Sequence, residues 1–256
     1  MTVALGVARR VERIMGTAIG IDVRSAVPAT ALDHALAYLR DVDARFSPFR
    51  PDSEISRLAR GELAMADASD DLTAIAALCD ELRRETVGAF DAWGHRSDGA
   101  FDPTGLVKGW ALDGAAGILR TAGATSFAIN GGGDVVVAGE AAPGRPWRIG
   151  VRHPLVADRT AALVELADAA VATSGAYERG AHIVDPWIGQ PAGGLLSVTV
   201  VAGSLARADA LATAVFAMGS LGPRWFAARG GALLAITADE RVLTTPAMDR
   251  LLATDG

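Results

Sequence analysis

Apolar and polar positions along the chain repeat with two periods, and the stretches where neither holds are as informative as the regular ones. From Gly16 to Val23 the residues GTAIGIDV have the period-two character of a strand and follow directly on Met15, so the first strand is predicted to begin at a Met15-Gly16-Thr17 turn. Leu32, Ala35, Leu36, Leu39, Val42 and Phe46 then recur at three and four residues until Pro48, which predicts a helix, with Thr30 and Asp33 at capping-box spacing. The prolines of SPFRPDSEISRL, Ser47 to Leu58, rule out its continuation, and Ser53-Glu54 opens a short new helix inside this structured loop. Another helix is predicted from Asp70 to about Thr86, with Ser69 as its cap and Gly88 just past its end.

In the second half, a helix from Leu106 to Ala122 stops at Gly123, and ATSFAIN and DVVVAG then flank Gly131, Gly132 and Gly133 as a hairpin or tight crossover. WRIGVRHP, TAALVELAD and AAVATSG read as short strands of a meander, and LLSVTVVAG, Leu195 to Gly203, as a buried strand. SLARADALATAVFAMG is a helix with Ser204 as cap and Gly219 as stop, and GALLAIT and RVLTT form a terminal hairpin. Strands and helices are interleaved without the regular alternation of a doubly wound sheet.

The irregular stretches hold the candidate chemistry. Gly88 to Gly105 is glycine-rich, sparsely periodic and contains Gly-Ala-Phe-Asp twice; a loop that long inside a compact domain is usually functional. It runs into FDPTGLVKGWALD, Phe101 to Asp113, where Asp102 and Lys108 stand at the start of a helix: either a site for a phosphorylated ligand and its metal, or an ordinary capped helix. The glycines of NGGGD either supply positive φ at a turn or let backbone N–H groups approach a ligand, with Asn130 and Asp134 polar at the strand ends. AYERGAHIVDPWIGQP, Ala176 to Pro191, is a second irregular loop, with Tyr177, Glu178, Arg179, His182 and Asp185 close together. Asp209 and Thr213, one helical turn apart in an alanine-rich helix, are either a polar surface stripe or two oxygens aimed at one ligand.

Composition narrows the classes. A chain of 256 residues, 50% of them apolar, fits one large domain or two intimately packed halves. The net charge of −6, with no stripe of Lys and Arg, disfavours nucleic acid. Cys79 shares a helix face with Leu72, Ile75 and Leu82 and reads as packing. The opening MTVALGVARRVERIMG is interrupted by charge too early for a secretory segment, and no stretch stays apolar long enough to span a bilayer, so a cytoplasmic protein with no membrane insertion is expected. The motifs GxSxG, GxGxxG, HExxH, the P-loop and paired-cysteine zinc spacing are absent.

Taken in order, the Met15-Gly16-Thr17 start, PFRPDSEIS, Gly88-Ala89-Phe90-Asp91, FDPTGLVKGWALD, NGGGD, TSGAYER, HIVDPWIGQP, SVTVVA and ADALAT with its Gly219 end resemble the ApbE-type flavin transferases, FAD:protein FMN transferases, along nearly the whole chain. The resemblance implies an α+β fold over residues 1–256 as a single domain: a mixed, largely antiparallel sheet, flanking helices and a nucleotide cleft between two lobes. It also implies FAD as substrate, Mg²⁺ as cofactor, and transfer of the FMN half to a Thr or Ser hydroxyl of an acceptor protein with release of AMP. Asp209 and Thr213 match the family's metal-binding helix, and the backbone carbonyl of Gly105 its third ligand; Ala212 stands where some relatives carry a second acid, which implies either a lower metal affinity or an oxygen supplied by water or the nucleotide. Met15, Phe49, Ala89, Phe90, Asp91, Asp102 and Lys108 match the flavin-nucleotide positions: Met and Phe for the ring, Asp102 for adenine or ribose, Lys108 for the phosphates. His182 matches the histidine that could take or orient the acceptor's proton, a hydrogen-bonded structural histidine being the alternative, and joins Asp209 as a catalytic residue. Two other functions stay open: a Mg²⁺-dependent FAD pyrophosphatase yielding AMP and FMN, and a non-catalytic flavin-binding protein.

Overall fold

The computed structural model describes residues 4–5, 7–94, 99–175 and 183–253. Its strands are β1 (Ala4–Leu5), β2 (Ala8–Ile14), β3 (Thr17–Val23), β4 (Val27–Pro28), β5 (Phe127–Gly131), β6 (Asp134–Ala138), β7 (Trp147–Arg152), β8 (Thr160–Leu166), β9 (Ala170–Gly175), β10 (Val184–Asp185), β11 (Gln190–Pro191), β12 (Leu195–Ala202), β13 (Ala232–Thr237) and β14 (Val242–Thr244). The helices are α1 (Thr30–Phe46), α2 (Glu54–Ala59), α3 (Asp70–Glu85), α4 (Thr104–Thr121), α5 (Leu205–Ala217), α6 (Gly222–Ala227) and α7 (Pro246–Asp249). Eight strands form one sheet in the order β14-β13-β12-β9-β6-β5-β3-β2, and every neighbouring pair is antiparallel. This is the α+β class that the sequence leads one to expect.

The central strands are apolar on both faces because both are covered. In β6, Val136 and Ala138 join the cluster that holds the core residues of α1, α3 and α4, whereas Val135 and Val137 pack with Trp147, Val151, Val164 and Leu166 of the β7–β8 hairpin. The helix layer continues over β12 and β13, where Val198, Val200, Leu233 and Ala235 meet Leu211, Ala212, Val215 and Phe216 of α5. A strand buried on two sides reads as a continuous run rather than an alternation.

Several local expectations give way. A strand precedes the Met15-Gly16 turn: β2 pairs with β3 from Ala8↔Val23 to Ile14↔Thr17. It lies at the sheet edge with Arg9, Arg10 and Arg13 exposed, so its sequence shows no clean alternation. Thr30 is the first residue of α1 and not its cap, because Ala29 before it is already helical (φ −54°, ψ −33°). The proposed meander splits: β7 and β8 form a two-stranded sheet of their own, outside the main one, and β9 returns to the main sheet between β6 and β12. Ser53 and Ser69 do cap α2 and α3, accepting from Ser56 N at 3.0 Å and Leu72 N at 3.3 Å.

The closest helix contact is between α4 and α5, and a glycine makes it. A Cβ on Gly109 would lie 2.8 Å from the backbone of Leu205 and Ala206, closer than unbonded carbon tolerates. Gly117, two turns along the same helix, has nothing within 4 Å of its Cβ position. In an open helix interior Gly→Ala stabilises by about 0.5–1 kcal/mol. The two substitutions are therefore expected to differ in sign: Gly117→Ala should raise the unfolding midpoint slightly, while Gly109→Ala should cost about 1–3 kcal/mol by forcing the helices apart. Parallel urea melts check this, and equal effects would contradict the contact.

Candidate functional site

Three elements bring charged groups to one place on the helix-covered face. At the start of α4, Asp102 Oδ1 accepts from Thr104 N at 3.1 Å, and Lys108 follows one turn into the helix. Beneath it the β5–β6 hairpin turns on Gly132 (φ +68°) and Gly133 (φ +101°), with Asn130 Oδ1 accepting from Gly133 N at 3.0 Å. This turn is of the type that needs positive φ at both central residues. It delivers Asp134 at the first position of β6, on the same face as Val136, only 3% exposed. Lys108 Nζ donates to Asp134 Oδ2, and Thr173 N donates to Asp134 Oδ1 at 3.0 Å.

The third element is α5. Asp209 is 8% exposed, and its Oδ2 lies 3.7 Å from Lys108 Nζ, so one ammonium stands between two buried carboxylates. One turn on, Thr213 Oγ1 is 3.1 Å from Ser174 Oγ of β9. These two residues are therefore not a solvated stripe: nearly every position of α5 is buried. The sequence offers Ser204 as the cap of this helix, but the Ser204 side chain makes no such bond. Asp113 of α4 does it instead, its two carboxylate oxygens accepting from Leu205 N and Ala206 N, each at 2.9 Å.

An apolar wall adjoins the charges. Met15, Gly16, Phe46, Phe49, Val107 and Lys108 line a cleft of about 140 Å³. Met15 (φ +54°) and Gly16 (φ +74°) form the two-residue turn between β2 and β3, and a left-handed Met costs roughly 1–2 kcal/mol, strain of the kind that collects at ligand sites. Phe49 is 93% exposed. Ala89 and Phe90 are buried, and the Phe90 ring lies 3.4 Å from where a Cβ on Gly105 would sit, so it supports the first turn of α4 from below. Asp91 accepts from Arg83 Nε at 3.0 Å and from Trp93 N at 2.8 Å. Gly105 stands one turn before Lys108 in α4. His182 lies outside the described residues.

Sequence reasoning did not single out Asp113, and it read Asp134 as a polar strand end beside the glycine turn and not as the partner of Lys108. One signal was available for the partner of Asp134: Lys108 is the only lysine of the chain, every other member of its 24 Lys and Arg being arginine. A compact, mobile ammonium at that position differs in kind from a planar guanidinium.

The ApbE family model matches residues 15–104 and 94–236, which include every element of this cleft. The chain belongs to the ApbE family. It is 36% identical over 128 residues to the FAD:protein FMN transferase of Vibrio cholerae, an alignment covering 46% of this chain and 38% of that protein. With the FAD:protein FMN transferase of Rhodobacter capsulatus it shares 38% identity over 161 residues, 59% of this chain and 31% of the relative. The aligned segments thus span about a third of these curated relatives. In fold it matches the ApbE protein of Thermotoga maritima with a TM-score of 0.84 at 25% identity, over 97% of this chain and all of that one. The Vibrio cholerae flavin transferase ApbE gives 0.83 at 23% identity, over 98% and 100%.

In this ApbE chain the Asp113 cap also carries a pH signature. Burial holds its carboxyl above the ordinary value of 3.8, opposed by the two N–H donors. The folded chain therefore binds that proton more tightly than the unfolded one. The group's contribution is fully present below the ordinary value and is lost as pH rises through the raised one. Asp113→Ala, which orphans both N–H groups, is expected to lower stability by about 1–2 kcal/mol in urea melts at neutral pH. Asp113→Asn should flatten the pH dependence across the mildly acidic range, and an unchanged slope would show that Asp113 does not cause it.

Proposed function

We propose that this chain transfers the FMN half of FAD to a Thr or Ser hydroxyl of an acceptor protein, releasing AMP, and that it does so as one domain with Mg²⁺ in the cleft. The observation that carries this reading is the Lys108 ammonium set between Asp134 and Asp209 beside a wall that presents Met15 and an exposed Phe49. A dinucleotide of flavin and adenosine needs both: charge for the diphosphate and an apolar face for the ring.

The donor set fits magnesium. Asp209 and Thr213 offer a carboxylate and a hydroxyl from adjacent turns of one helix, with the Gly105 carbonyl as third donor by resemblance, and hard oxygen donors are what Mg²⁺ takes. Among the described residues no group of three or more His, Cys, Asp and Glu converges, so the reading rests on the Asp209 carboxylate, the Thr213 hydroxyl and the Gly105 carbonyl, with water and phosphate oxygens completing the shell. The bound cation would supply Lewis-acid stabilisation of the charge on the diphosphate. Asp134, Asp209 and Lys108 together carry a formal charge of about −1, which attracts a divalent ion, and the sum with that ion, about +1, then favours the diphosphate.

In the transfer the acceptor oxygen forms a bond to the FMN phosphorus, the P–O bond to the AMP phosphate breaks, and AMP leaves with that electron pair. Lys108 holds phosphate oxygens and balances charge as it shifts toward the leaving group. The acceptor's hydroxyl proton passes to a base, the role the resemblance gives His182.

Incubation with FAD, Mg²⁺ and an acceptor polypeptide carrying a Thr in a flavinylation sequence is expected to give a fluorescent acceptor band on a denaturing gel and one AMP per flavin attached. AMP and free FMN without a labelled band would identify a pyrophosphatase, and FAD bound without AMP release a binding protein; either overturns the proposal. Asp209→Ala should abolish transfer, and full activity in that variant would refute its assignment to the metal. Phe49→Ala is expected to leave stability within about 0.5 kcal/mol, since the ring is solvent-exposed, yet to weaken FAD binding roughly 3- to 10-fold by flavin fluorescence titration.

A further inference from the structure

We propose that Asp134 is a positioning residue of the cleft: it acts through Lys108, keeping the only lysine of the chain from closing on Asp209 and ready for the diphosphate. The inference rests on the reading of the cleft as an FAD site. Asp134 is almost wholly buried, and a buried carboxylate has to be paired or hydrogen-bonded. Both oxygens are: Oδ1 is fixed to the β9 backbone through Thr173 N, and Oδ2 takes the ammonium of Lys108. Thr173 is itself anchored, its Oγ1 lying 2.8 Å from Thr199 Oγ1 of β12. The carboxylate is therefore a rigid post on the sheet, while the lysine it holds is a four-carbon stem with free rotation.

The arrangement matters because Asp209 lies 3.7 Å from the same ammonium. A lysine released from Asp134 would settle on Asp209, the carboxylate assigned to the metal, and compete there with the cation. Tethered to Asp134, it stays one carboxylate away from the metal position and faces the phosphates. The Gly132-Gly133 turn and the Asn130 bond that shapes it set where β6 begins, so the NGGGD motif fixes Lys108 through Asp134.

Asp134→Asn, Lys108→Met and the double variant test this, because a residue acting through another loses its effect once that other is gone. Asn keeps the volume and the acceptor for Thr173 N but removes the charge that holds the ammonium. In FAD titrations read by flavin fluorescence, Asp134→Asn is expected to bind about tenfold more weakly than the parent in the Lys108 background and within about twofold in the Lys108→Met background. In the nucleotide-free protein, labelling of Lys108 by an amine-reactive ester, read by mass spectrometry, should be severalfold faster in Asp134→Asn. Equal losses in both backgrounds, an unchanged labelling rate, or failure of Asp134→Asn to fold would overturn the proposal and leave Asp134 a structural residue. Should the parent protein bind no FAD, the functional reading fails instead, and the labelling comparison still decides whether Asp134 holds Lys108.

Discussion

The contact between α4 and α5 is the constraint on which the rest of the site depends. Gly109 lets the two helices approach until a Cβ would collide with the Leu205 backbone, and one turn along Asp113 grips the buried N–H groups at the start of α5. A glycine and a carboxylate one turn apart thus lock both the distance between the helices and the axial position of one against the other. Lys108 precedes that glycine and Asp209 lies one turn into α5, so the lock is also what brings ammonium and carboxylate within 3.7 Å. A shift of one helix by even an ångström would lose this geometry, which is why the cleft is built on helices clamped by backbone contacts and not on loops.

The sheet supplies the other half. Its antiparallel ladder carries Asp134 and Ser174 to the helix-covered face, and the alternation of side chains along β6 and β9 leaves the opposite face to the β7–β8 hairpin. The charges sit where water is scarce, and there each Coulombic contact is worth more than at the surface. Across the cleft the design reverses: Phe49 is exposed and Met15 is held in a left-handed turn, two features that a fold optimised only for stability would not retain.

Much of this was legible in the sequence where a local rule and the tertiary fold agree. The glycine triplet is a turn, Ser53 and Ser69 cap helices, and the apolar runs of β6, β12 and β13 are buried strands. The resemblance gathered Met15, Phe49, Lys108, Asp209 and Thr213 before any coordinate was known, and the fold sets Met15, Phe49 and Lys108 around one cleft, with Asp209 against Lys108. What stayed hidden depends on partners far away in the chain. Ser204 has every local mark of an N-cap, yet the bond is made by Asp113, 92 residues earlier than Leu205. Asp134 resembles a polar strand end until Lys108 is seen above it, and β2 shows no alternation because an edge strand buries little.

The most direct test of the central claim is a crystal structure of the chain with FAD and Mg²⁺. Density is expected for the diphosphate within reach of Lys108, for the ion between Asp209 and Thr213, and for the flavin against Met15 and Phe49. Nucleotide density elsewhere, for example in the groove that Pro28, His34, Gly117 and Thr121 line between α1 and α4, would contradict it.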